Sequence, residues 1–134
     1  GFTGVTGGEE KTVGIYKKTK GIDPVTGWLV CVGGDERGRD YRLHTGRNFV
    51  GRSYKMQICI ADDPEVSREN HCSVVFEPIK SVFMLVPGTG TATYLNGERL
   101  DGALVIKKGD MIQIGGSQME FIPYCGEGKN WDTK

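Results

Sequence analysis

Long apolar stretches are missing from this chain. Nothing approaches the eighteen or so consecutive apolar residues of a membrane-spanning helix, and the sequence as it stands shows no signal-peptide pattern. Neither spanning nor export is expected, which leaves a cytoplasmic setting and no membrane partner. Net charge is missing too: 17 Lys and Arg balance 17 Asp and Glu over 134 residues, so bulk attraction to nucleic acid is not expected. Signatures of catalysis are also lacking. There is no Gly-x-Ser-x-Gly elbow, no Gly-x4-Gly-Lys loop and no paired-carboxylate motif. Ser67 and His71 share one short segment with no carboxylate assigned to orient the ring, and His44 sits on an alternating run, so no enzyme is expected. Cysteine is sparse. The four, at 31, 59, 72 and 125, form no Cys-x-x-Cys pair, and gaps of 28, 13 and 53 residues do not suit zinc. Three lie in apolar runs, where a thiol acts as a small hydrophobe. Free buried thiols, no metal and no cofactor are the expectation, in keeping with a reducing compartment.

What the chain does have is glycine and short apolar runs. Twenty-one glycines without a repeat suit many tight turns, and strand candidates recur about every ten residues: 28–33, 39–43, 47–50, 56–60, 72–77, 81–86, 92–95, 103–106, 111–115 and 117–124. Several alternate apolar and polar residues, as in Met111-Ile112-Gln113-Ile114, which fits strands with one wet face. No stretch sustains a helical period. The pattern predicts an all-β sandwich or barrel over residues 28–124. Residues 1–27 are polar and glycine-rich and read as a flexible arm; 125–134 read as a polar tail. Asn96-Gly97 is the dipeptide best suited to a two-residue hairpin, because both positions need positive φ.

Three clusters fall between these runs: Gly51-Arg52-Ser53, Ser67-Arg68 with His71 close behind, and Tyr94-Leu95-Asn96-Gly97. A guanidinium offers a planar fork of donors that matches phosphate oxygens two at a time and does not titrate near neutral pH. Brought to one apex with a hydroxyl, it makes a phosphate site.

The order and chemistry of these clusters resemble the forkhead-associated (FHA) domain family, a β-sandwich of about eleven strands (SMAD/FHA type) whose loops bind phosphothreonine. The likeness covers roughly Trp28 to Pro123 and rests on four elements: Phe49-Val50-Gly51-Arg52-Ser53, Val66-Ser67-Arg68-Glu69-Asn70-His71, Thr93-Tyr94-Leu95-Asn96-Gly97, and Lys108-Gly109-Asp110-Met111-Ile112-Gln113-Ile114-Gly115. The resemblance implies that Arg52 and Ser67 hold the phosphate, that Arg68 contacts phosphate or peptide backbone, and that His71 ties the loop from beneath. It makes Gly51, Asn96 and Gly97 structural supports, and phosphothreonine-containing proteins the partners.

Two departures matter. Four residues separate Ser67 from His71 where the family has three, so either the loop carries a bulge or Arg68 takes the serine's place. Thr91 stands where the family's peptide-binding asparagine is usual, keeping a hydroxyl but losing an amide. An FHA-like interaction scaffold with a degenerate phosphate site is therefore the alternative reading. Arg37, Arg39, Arg42, Arg47, Arg52 and Lys55 make a basic cluster that reads as a phosphate collar or as solvated strand edges. No recognition helix or finger accompanies it, so no nucleic acid is expected. In the arm, Thr12 follows Glu9-Glu10-Lys11 and has Ile15 at plus three, the position FHA-like domains chiefly select. Thr12 is thus a candidate phosphoacceptor for a Ser/Thr kinase, with docking in its own chain or a neighbour. Sixteen residues from Thr12 to Trp28 reach roughly 20 to 24 Å relaxed and about 53 Å extended.

Overall fold

The computed structural model describes residues 21–132; the Thr12 phosphoacceptor expectation lies outside the described residues. Eleven strands form two sheets: β1 (Gly27–Gly33), β2 (Asp40–Leu43), β3 (Gly46–Gly51), β4 (Ile58–Cys59), β5 (Cys72–Glu77), β6 (Val82–Pro87), β7 (Thr93–Leu95), β8 (Glu98–Arg99), β9 (Leu104–Ile106), β10 (Met111–Ile114) and β11 (Ser117–Pro123). One sheet runs β2-β1-β11-β10-β7-β8 and the other β4-β3-β5-β6-β9. The expected all-β sandwich is what the chain forms, with no helix among the described residues.

Alternation sets which side chains face inward. On β10, Ile112 and Ile114 are buried while Gln113 is exposed; on β11, Met119 and Phe121 are buried while Gln118 is exposed. The sheets meet through Phe83 on β6, whose ring lies 4.6 Å from Phe76 on β5 and 4.8 Å from Phe121 on β11 across the interface. All four cysteines are free. Cys31, Cys72 and Cys125 are buried as expected of apolar fillers, and desolvation pushes the Cys72 thiol up to about 12. Cys59, on the two-residue edge strand β4, is only half-buried, contrary to expectation.

The two poles of the sandwich differ. Gly27 pairs with both Pro123 and Leu43, so the chain enters and β11 ends at one pole. At the other, Gly51, Cys72, Pro87 and Ile114 end or begin their strands together. The described ends are more structured than an arm and a tail. Thr26 donates its N–H to Leu43 O (2.8 Å) and accepts from the Tyr124 and Cys125 N–H groups (2.9 Å each). Trp131 donates Nε1–H to Val25 O (2.7 Å) and stacks on Tyr124, and Asn130 donates to Pro78 O and Ser81 Oγ. These contacts tie residues on both sides of the expected 28–124 domain to the entry pole. A polar composition did not reveal that these segments satisfy backbone groups at the entry pole.

Candidate phosphate-binding site

Strand β3 carries the chain to the apex and ends at Gly51. A Cβ there would stand 2.6 Å from Arg68 O and 2.9 Å from Met56 Cγ, so only glycine lets the β3 end lie against the 66–71 loop. Three bonds then join the two segments: Arg52 N to Ser67 O (2.8 Å), Ser53 N to Arg68 O (2.9 Å) and Arg52 Nε to Val66 O (3.1 Å). The last fixes the root of the guanidinium, and its terminal nitrogens make no hydrogen bond among the described residues. Neither Arg52 nor Arg68 has an ion-pair partner among the described residues. Both line a hollow of about 440 Å³ with Ser53, Tyr54, Cys59 and Ala61. Two unpaired guanidiniums on one hollow attract an anion and can bind it in bidentate fashion.

The 66–71 loop is held from beneath by His71, which is fully buried. Its Nδ1 accepts the Ser67 N–H (2.9 Å) and its Nε2 lies 3.2 Å from Ala92 O. Those partners require the neutral ring with the proton on Nε2, and burial holds the imidazole below its usual pKa against the opposing effects of Ala92 O and Asp63. The extra residue between Ser67 and His71 is accommodated at Asn70, in the left-handed region at φ 47°. Across the loop Arg52 N reaches Ser67 O and Ser53 N reaches Arg68 O, while Arg68 is the one of the two that lines the hollow.

The β6–β7 loop closes the third side. Gly88 donates its N–H to His71 O (3.1 Å), and a Cβ on Gly88 would collide with Asn70 O. A Cβ on Gly90 would stand 3.3 Å from Ser67 Oγ. Ser67 therefore faces the Gly90 loop and does not line the hollow. Thr91 is exposed on this same loop. A fourth support comes from Asp63, which is buried: its Oδ2 accepts from Gly116 N (2.9 Å) and Ser117 Oγ (2.6 Å), and its Oδ1 from Glu65 N (2.9 Å).

Sequence reasoning missed Asp63, Gly88, Tyr54 and Cys59. The available signal for Asp63 was Asp-Asp-Pro before a turn, where an Asx side chain bonds the backbone two residues on. Two expected supports are not at the apex. Leu95 pairs with Ile112 and Thr93 with Ile114, so β7 leads away from the apex and Asn96-Gly97 turns at the other end. There Asn96 Oδ1 accepts from Met111 N (2.9 Å) and its Nδ2 donates to Asp110 (3.2 Å). The φ values of 51° and 85° are those of the predicted hairpin turn, so its role is register rather than ligand support. The basic cluster does not form one collar: Arg39 pairs with Glu36 (3.8 Å), while Arg47 donates to Ser73 Oγ and lies over Phe49.

Residues 48–115, which carry all of these apex loops, match the family profile described as the FHA domain. The chain belongs to the FHA domain family. A solved FHA domain studied for its phosphothreonine-dependent interactions is 27% identical to this FHA domain, with a TM-score of 0.62 over 72% of this chain and 94% of its own. The FhaA FHA domain, solved in complex with the intracellular domain of a second protein, is also 27% identical, with a TM-score of 0.59 over 73% and 99%. The N-terminal FHA domain of S. cerevisiae Rad53p, solved with a phosphothreonine peptide, has a TM-score of 0.62 over 77% and 95%; at 12% identity that likeness speaks to the fold alone. No curated protein sequence matches the chain.

Proposed function

We propose that this FHA domain binds phosphothreonine peptides in partner proteins and performs no chemistry of its own. The observation that carries the reading is the pair of unpaired guanidiniums, Arg52 and Arg68, on one hollow with Arg52 anchored through Nε. Arg52 and Arg68 grip the phosphate from the hollow, Ser67 offers its hydroxyl from the adjoining Gly90 side, and Thr91 meets the peptide backbone. Free cysteines fit a reducing compartment such as the cytoplasm. A phosphothreonine peptide library, titrated beside its unphosphorylated twin, tests this directly. Charge-assisted bonds contribute about 1.5 to 3 kcal/mol each, so Arg52→Ala should weaken binding about tenfold to a hundredfold. Full affinity in that variant would overturn the assignment.

A kinase-dependent self-interaction extends the proposal. A Ser/Thr kinase phosphorylates Thr12, and the domain then takes the modified segment from its own chain or a neighbour. Adding a phosphorylated peptide of residues 7–19 to the full chain tests it; no binding at millimolar peptide would remove the idea while leaving the wider reading intact. One second reading has support: Ser67 does not line the hollow and Thr91 replaces an asparagine, which favours a scaffold with a degenerate phosphate site. Absence of any phosphopeptide binding across the library would decide for it.

A further inference from the structure

Strand β6 reads Val82-Phe83-Met84-Leu85-Val86-Pro87, apolar at every position. A strand of an antiparallel sheet with one wet face alternates; a strand apolar on both faces is covered on both. Phe83 and Leu85 point into the core. Met84 and Val86 point outward, in register with Val75 and Ser73 on β5, and Met84 pairs onward with Val105 on β9. Phe49 on β3 faces out opposite Ser73, and Val82 opposite Glu77. The outer face thus carries Phe49, Val75, Val82, Met84, Val86 and Val105, with Val105 52% exposed on an edge strand that has a free side. Arg47 crosses the β3 side of this face, over Phe49 and bonded to Ser73 Oγ, which leaves Val82, Met84, Val86 and Val105 as an apolar strip along β6 and β9. A strip of this kind marks a contact.

Size favours a short segment over a second copy. A stable protein–protein interface buries about 800 Å² per partner, more than six mostly half-covered side chains offer. The chain enters beside this sheet. Asp23 Oδ2 lies 3.2 Å from His44 Nδ1, just before β3 begins at the entry pole. From β3 to β9 is three strand spacings, about 14 Å. Seven residues back from Asp23 to Tyr16 span up to about 23 Å, and ten back to Val13 about 33 Å. Within that reach Val13 and Ile15 alternate with Thr12, Gly14 and Tyr16, so an extended segment presents both apolar side chains on one side. Glu9 and Glu10 precede them, and Lys107 and Lys108 are exposed just beyond β9.

We propose that the chain's own segment Val13–Ile15 covers the outer face of the β5–β6–β9 sheet, with Glu9 and Glu10 set against Lys107 and Lys108. This cover belongs to the unphosphorylated chain and does not depend on the phosphate site. Methyl-labelled methionine spectra of the full chain test it, because Met84 lies on the face and Met119 in the core. Val13→Asp with Ile15→Asp should shift the Met84 methyl and leave Met119 in place. A Met84 signal identical in both proteins overturns the proposal, as does one that moves on dilution of the unaltered chain, which would make a second copy the cover. Val105→Asp supplies an independent reading: it should speed tryptic cleavage at Lys17, Lys18 and Lys20 several-fold. An unchanged cleavage rate counts against the docking.

Discussion

Gly51 and Arg52 act as one device at the apex. The glycine allows a backbone approach that a Cβ would block at 2.6 Å from Arg68 O, and that approach brings Arg52 Nε onto Val66 O. Gly51→Ala should therefore lower stability by about 1 to 3 kcal/mol through overpacking and weaken phosphopeptide binding as well; urea unfolding and peptide titration check the two effects separately. Arg52→Lys keeps the charge but loses the fork, since an ammonium is a point donor without the planar pair. It should lose most of the affinity lost by Arg52→Ala and leave the urea midpoint close to that of the unaltered chain.

At the scale of elements, two loops, 66–71 and the one between β6 and β7, are tied together at one histidine. His71 accepts from Ser67, faces Ala92 O, and carries Gly88 on its own carbonyl. Its folded-state pKa is depressed, chiefly by burial. A group depressed on folding contributes stability that is complete above its unfolded pKa, about 6.5 for histidine, and is lost as pH falls toward the folded value. Thermal unfolding of the peptide-free domain should therefore become easier below about pH 6.5, and His71→Gln should flatten that dependence. Carboxylates titrate lower still, and the comparison with His71→Gln separates this ring from the other histidine, His44, which faces Asp23. The β7–β8 hairpin behaves independently. Gly97 sits at φ 85°, and an Ala there is strained by about 1 to 2 kcal/mol. Because the turn lies away from the apex, Gly97→Ala should reduce stability without changing peptide affinity.

The whole sandwich depends on contacts between strands distant in sequence. Phe83 touches Phe76 within its own sheet and Phe121 in the other, so Phe83→Ala opens a cavity where the sheets meet. A loss of about 3 to 5 kcal/mol is expected, readable as a lowered urea midpoint. The entry pole is closed by the C-terminal residues, with Trp131 on Val25 O and Asn130 on the β5–β6 turn. That closure joins chain ends more than a hundred residues apart, which no local pattern encodes.

Strand positions were legible because alternation is a local property: Met111–Ile114 and Ser117–Pro123 carry their inward faces in their own letters. The Asn96-Gly97 turn was legible for the same reason, since two successive positive φ values select that dipeptide. Arg52 and Arg68 were legible through motif order. Illegible were the far placement of Asn96, the buried carboxylate of Asp63 binding Gly116 and Ser117, and the hollow's other walls at Tyr54 and Cys59. Each of these depends on which loops meet at which pole. Local letters specify an all-β chain with two cationic side chains on neighbouring loops. That both guanidiniums share one hollow, with no ion-pair partner for either among the described residues, was settled by packing, because the separation of segments along the chain carries no record of their distance in space.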